Sequence, residues 1–155
     1  MNKLSQIYST IFFVGYIKWA PGTIGSLVSL TIIILLSKII SIIGFIILFI
    51  CLLILAIKFI DIYSKSIDKN DASEIIIDEF LGIYIIIILS YNLNSLNEFI
   101  KIFLIFILFR FFDIIKPYPA KWIDQNMKNS YGIILDDIIA GIYTITILYL
   151  INAFI

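Results

Sequence analysis

The chain has 155 residues, of which 62% are apolar and 14% charged, and its mean hydropathy is +1.11. Soluble domains average roughly 45–50% apolar and about 25% charged residues, and a chain this short has too little interior to hide the excess, which excludes a fully soluble domain and a disordered chain alike. Eleven Lys and Arg balance eleven Asp and Glu, so no basic footprint for nucleic acid exists.

In chain order, residues 1–21 form the first of three long polar stretches. They carry no charged start followed by a small-residue cleavage site, so no signal peptide is expected. Residues 22–37 are uncharged but only 16 long. Residues 39–57 give 19 uncharged residues, enough to cross the hydrocarbon core as a helix. The single cysteine, Cys51, lies in this segment and is expected to be a buried small apolar residue and not a reactive thiol. Residues 58–79 form the second polar stretch. Residues 80–91 are strongly apolar and then soften into the loop composition of Asn92 to Asn97. Residues 100–112 are apolar but carry Lys101 and Arg110, residues 110–137 form the third polar stretch, and 138–155 add 18 uncharged residues. The expected fold is all-α: one domain over 1–155, a compact bundle of about five apolar helices integral to the membrane. The short helices are expected to be tilted, re-entrant or shielded by protein.

Isoleucine supplies 43 residues against two valines. A skew that uniform is compositional bias and not a packing code, so polar residues that persist inside it carry extra information. If five helices alternate in direction, the three long stretches share one side. They hold nine of the eleven cations, and only Lys38 and Lys101 fall on the other side. That asymmetry predicts a cytoplasmic location for the long stretches.

Four polar constellations fall on that side. In Ala20-Pro21-Gly22-Thr23-Ile24-Gly25-Ser26, proline and two glycines allow a tight turn before a helix, and Thr23 or Ser26 is expected to cap it. The free N–H groups of such a terminus suit a phosphate; an ordinary turn and cap is the alternative. In Glu74-Ile75-Ile76-Ile77-Asp78-Glu79-Phe80-Leu81-Gly82, Glu74 and Asp78 are spaced to share a helical face. Acids at the edge of an apolar helix are costly unless paired or metal-bound; complementing the helix dipole is the alternative. Arg110, Asp113 and Lys116 recur every third residue, on one face of a helix that Pro117 ends. They read as a salt-bridge ladder or as a holder of phosphate and metal. Asp136 and Asp137 interrupt an apolar run between Gly132 and Gly141; two adjacent buried acids repel unless a cation joins them.

Asp78, Glu79, Asp113, Asp136 and Asp137 are five carboxylates in a chain without histidine, so no imidazole serves as base, nucleophile or ligand. All-oxygen ligation suits Mg²⁺ first and Mn²⁺ next. Carboxylates beside Arg and Lys suit phosphoryl chemistry.

Together these stretches resemble the phosphatidylglycerophosphatase A family. The family pattern Ala-Pro-Gly-Thr-x-Gly-Ser is matched by Ala20 to Ser26, and Asp-Glu-Phe-x-Gly by Asp78 to Gly82. Phe-Arg-x-x-Asp-x-x-Lys-Pro-x-Pro is matched by Phe109 to Pro119, and Gly-Ile-x-x-Asp-Asp-x-x-Ala-Gly by Gly132 to Gly141. Order and spacing agree over residues 15–141; the departures, Trp19 and Ala120, carry no charge. The resemblance implies an Mg²⁺-dependent lipid phosphatase at the bacterial inner membrane, acting on phosphatidylglycerophosphate to give phosphatidylglycerol, with membrane lipids as surroundings. The resemblance does not settle which carboxylate holds which ion; the assignment expected from the residues is Asp78, Glu79, Asp113 and Asp137 as metal ligands, and Asp136 as ligand or as base for the attacking water. Arg110 and Lys116 would hold the phosphate, helped by Thr23, Ser26 and the Gly22 and Gly25 backbone. Nothing in the sequence sets an oligomeric state.

Two enzyme classes are set aside. The aspartate signature of the CDP-alcohol phosphotransferases is absent, and acid-phosphatase-type lipid phosphatases need histidine. The alternative outside enzymes is a small membrane carrier or structural protein with a carboxylate cation site, for which acids spread through the bilayer depth are expected.

Overall fold

The computed structural model describes residues 3–69, 72–93 and 96–154. Among them are seven α-helices, a 3₁₀ turn and no strand. Asn94 and Ser95, within the expected loop, lie outside the described residues.

The N-terminal polar stretch holds a helix that the pattern did not announce, α1 (Lys3–Ser9), followed by the 3₁₀ turn Val14–Tyr16. Tyr8 of α1 donates its hydroxyl to the Leu52 carbonyl at 2.8 Å. Pro21 then opens α2 (Pro21–Ile39) at a position where its missing N–H costs nothing. Neither Thr23 nor Ser26 caps this helix, contrary to expectation: the cap residue is Ala20, in the left-handed region at φ 47° and without a side-chain hydrogen bond.

Ile40 and Ser41 join α2 to α3 (Ile42–Ile67), and so short a link makes the two helices antiparallel neighbours. Ser41 caps α3 by accepting from the Gly44 N–H at 3.4 Å. The helix runs ten residues beyond the expected end, through Lys58, Asp61 and Lys65, because charged side chains on its last turns face the polar end of the bundle.

α4 (Ile77–Leu89) spans 13 residues, or about 20 Å at 1.5 Å per residue, too short for a hydrocarbon core of about 30 Å. Its neighbours shield it, as expected for a short apolar helix: Leu81, Ile83, Tyr84 and Ile86 are fully buried. α5 (Glu98–Ile115) starts where Asn97 accepts from the Phe99 N–H at 2.9 Å. α6 (Ala120–Asn126) folds back after the proline turn, and α7 (Ser130–Phe154) completes the bundle. α7 starts eight residues before the apolar run, so Asp136 and Asp137 lie within the helix.

α4 is the hub and touches α2, α3, α5 and α7. Its closest crossing, with α7, depends on two glycines. A Cβ on Gly82 would lie 2.8 Å from the Asp137 carbonyl oxygen, and one on Gly141 would lie 2.7 Å from the Gly82 carbonyl oxygen. Small residues let apolar helices approach this closely. Tyr84 stacks on Phe45 with centroids 4.2 Å apart and donates to the Phe45 carbonyl, so its hydroxyl is satisfied inside the core.

α2, α3 and α7 are long and apolar enough to cross a membrane. Their outer faces expose Leu35, Ile43, Ile47, Ile54 and Leu150, apolar side chains that water would not favour, and Cys51 of α3, contrary to the expected burial, is exposed as well because it lies on that outer face.

Candidate active site

One end of the bundle gathers the start of α2, the segment before α4, the first turn of α4, the end of α5, α6 and the first turns of α7. They enclose a cavity of about 240 Å³ lined by Asp78, Glu79, Asp113, Asp124, Asp136 and Asp137, with Lys116, Lys128, Gly22 and Gly132 beside them. Acids far apart in sequence meet here because the helices carrying them begin or end at the same level.

Arg110 ties three elements together. Its Nη1 forms a close ion pair with Asp113 on its own helix and lies 3.6 Å from Glu79 Oε1 on α4. The same nitrogen donates to Ser26 Oγ of α2 at 3.4 Å. Gly22 makes room for this arrangement, because a Cβ there would sit 2.5 Å from Glu79 Oε1 and 3.2 Å from both terminal nitrogens of Arg110.

The face expected to hold Arg110, Asp113 and Lys116 together is broken at its last member. Lys116 follows α5 in the left-handed region at φ 47°, where the chain turns out of the helix before Pro117. Its Nζ therefore meets Asp124 Oδ1 at 2.8 Å and Asp136 Oδ2 at 2.5 Å. Burial works against the Lys116 charge, but its hydrogen bonds to Asp124 and then Asp136 outweigh it and hold its pKa above that of a free lysine. Lys116 is thus a permanent cation here and not a base.

Against this, Asp78 Oδ1, Glu79 Oε2 and Asp136 Oδ1 are buried without a hydrogen-bond partner. Unpaired buried carboxylate oxygens are costly, and three at one cavity point to something cationic that completes them. The donors are all oxygen, which suits a hard divalent ion. Among the described residues no three acids close into a ready cage. Mg²⁺ in phosphoryl-transfer sites asks for less: one or two carboxylates, with water and phosphate completing its shell.

The cavity brings together Asp78, Glu79, Asp113, Lys116, Asp136, Asp137 and Gly22 from the predicted set, with Arg110 behind Glu79 and Asp113. Three other predicted residues stand elsewhere. Thr23 is exposed and outside the lining. Gly25 lets α2 approach Ile76, whose Cβ would be 3.0 Å from an added Cβ. Ser26 is fully buried behind the site, donating to the Gly22 carbonyl at 2.7 Å while receiving Arg110. Glu74 does not share a helical face with Asp78 either, because α4 begins at Ile77. Its Oε1 accepts from Tyr63 at 3.3 Å. Asp124 was missed: its signal, an acid on a short helix after a proline turn, has meaning only once α6 folds back onto Lys116.

Residues 7–152 match the sequence profile of the family described as Phosphatidylglycerophosphatase A. A Haemophilus influenzae protein of that name is 31% identical over 138 residues, covering 89% of this chain and 82% of its own length. An Escherichia coli protein of the same name is 34% identical over 89 residues, 57% of this chain and 49% of that protein. A Bacteroides thetaiotaomicron protein named "Putative phosphatidylinositol-3-phosphatase" is 28% identical over 145 residues, 91% of this chain and 89% of its own. No solved structure matches the chain. The profile match over nearly the whole chain and the near full-length relative place this chain in the phosphatidylglycerophosphatase A family, a family of phosphatases.

Proposed function

We propose that this phosphatase removes the terminal phosphate of phosphatidylglycerophosphate at the cytoplasmic face of the bacterial inner membrane, with Mg²⁺, or Mn²⁺ in its place, held by carboxylates drawn from Asp78, Glu79, Asp113 and Asp137, and with Asp136 as the base. The observation that carries the reading is the cavity of acids with three orphaned oxygens beside Arg110 and Lys116. The carrier alternative loses its support, since the acids cluster at one end instead of following the helices through the bilayer.

The depth of the site also fits a lipid headgroup. Exposed Trp19, Tyr118, Trp122 and Tyr131 belong to the segments around this end, and amphipathic aromatics favour the interface. The cation asymmetry supports a cytoplasmic position for this end.

A bound Mg²⁺ supplies neutralisation of phosphate charge and a water of lowered pKa. The chain's own groups supply the rest. Lys116 holds equatorial phosphate oxygens and stabilises the charge that shifts onto them, and the Arg110 charge supports this from behind Glu79 and Asp113. Lys116 fixes Asp136 through Oδ2 and leaves Oδ1 free. As water attacks phosphorus, Asp136 Oδ1 takes its proton. The bond from phosphorus to the glycerol oxygen breaks, and that proton passes to the departing alkoxide, giving phosphatidylglycerol and inorganic phosphate. The apolar outer faces of the helices keep the acyl chains in the bilayer.

The test is phosphate release by purified protein from phosphatidylglycerophosphate. Release is expected with Mg²⁺, lost in EDTA and restored by added Mg²⁺. A folded Asp137→Asn variant is expected to be inactive; near-normal turnover would remove Asp137 from the metal site. The Bacteroides relative's name supports a second substrate, a phosphoinositide monoester, which the same assay compares directly.

A further inference from the structure

Beside the acidic cavity lies a smaller site of about 150 Å³, lined by Asp61, Ser64 and Lys65 near the end of α3 and by Lys128, Asn129 and Ser130 where α7 begins. Lys128 lines both sites, so the two adjoin. The proposed reaction at the acidic cavity has no task for this neighbour.

Its chemistry is that of an anion site. Neither Lys65 nor Lys128 closes an ion pair among the described residues, and the opposing acid is Asp61. The start of a 25-residue helix adds its partial positive charge. Asn129 caps one N–H there, accepting from Gly132 at 3.0 Å. The deciding observation is Ser130. It is 2% exposed, it lines the site, and its buried Oγ has no hydrogen-bond partner. A buried hydroxyl left unpaired beside two free lysines is a donor awaiting an acceptor.

We propose that this site binds the phosphodiester of the substrate lipid while the terminal monoester sits in the acidic cavity. The inference rests on the function proposed above, since phosphatidylglycerophosphate carries both groups, joined by one glycerol. It makes Lys65, Lys128 and Ser130 specificity determinants, which distinguish a lipid with a diester and a monoester from phosphatidic acid, which has the monoester alone.

The test uses the full-length protein in detergent micelles with Lys65→Met and Ser130→Ala, changes that preserve side-chain length or size. The ratio of kcat/KM for phosphatidylglycerophosphate over phosphatidic acid is expected to fall about tenfold in each variant, the scale of one charge-assisted hydrogen bond, through KM more than kcat. Equilibrium binding of phosphatidylglycerol, which has the diester and no monoester, is expected to weaken by the same factor. An unchanged ratio with unchanged phosphatidylglycerol binding overturns the proposal. So does an equal loss on both lipids accompanied by weaker association with anionic vesicles, which assigns the lysines to the bilayer surface. A wild-type chain that hydrolyses neither lipid yet binds phosphatidylglycerol through Lys65 would strike the proposed function and leave this site standing.

Discussion

The two ends of the bundle use charge in different ways. At the end where α2 meets α3 and α4 approaches α5, Lys38 and Glu98 lie 3.7 Å apart with side chains 63% and 67% exposed. At the other end, Arg110 and its partners Glu79 and Asp113 are 11–16% exposed, and Lys116 bridges two acids. An exposed pair contributes little to stability, because water and salt screen it. Buried charges cost several kcal/mol of desolvation each, and a pair often only breaks even. The concentration of buried acids beyond the available cations at one end is therefore a cost that folding alone does not explain, and chemistry at that end does.

Four substitutions probe this contrast, from the largest expected effect to the smallest. Asp78→Asn keeps shape and removes charge at one of the orphaned oxygens; kcat/KM is expected to fall about 10³-fold, the scale of lost metal-linked stabilisation. Retention of most activity would take Asp78 out of the site. Arg110→Lys keeps the charge but replaces the rigid guanidinium, whose Nη1 meets Ser26, Glu79 and Asp113 together, with a flexible ammonium, and a roughly 10²-fold loss in kcat/KM is expected. A loss of less than threefold would show that charge alone suffices.

The remaining two are read in stability. Gly82→Ala pushes a methyl against the Asp137 carbonyl and the Phe109 ring, and thermal or denaturant unfolding in micelles is expected to show a loss of about 1–3 kcal/mol. An unchanged midpoint would mean that the α4–α7 crossing has slack. Lys38→Ala, at the exposed end, is expected to change stability by less than about 0.5 kcal/mol and to leave activity intact. A large effect there would erase the distinction between the ends.

Much of the candidate site is legible in the sequence because acids inside isoleucine runs are conspicuous. Asp78, Glu79, Asp113, Asp136 and Asp137 stand out against a composition that disfavours them, and all five line the cavity. Residues whose part depends on a turn were harder to place. Spacing groups Lys116 with Arg110, but its left-handed backbone before proline sends it to Asp124 and Asp136. Thr23 fits a phosphate-loop composition, yet Ala20 sets the helix start and leaves Thr23 exposed. Helix ends follow the same logic: hydropathy marks the most apolar part of each helix, whereas α3 and α7 extend past it, because hydrogen bonding along a helix does not stop where hydropathy falls.

By itself the sequence determined the helical class, the apolar segments and the carboxylates that matter, because hydropathy and charge are properties of residues and survive without coordinates. Tertiary structure alone decided which of them meet. Gly82 and Gly141 let α4 and α7 cross closely enough to bring Asp78 and Asp137 to one cavity, Gly22 opens the space that Arg110 fills, and α6 returns Asp124 to Lys116. These are contacts between segments distant along the chain, and they follow from backbone approach and helix direction, which local composition does not encode.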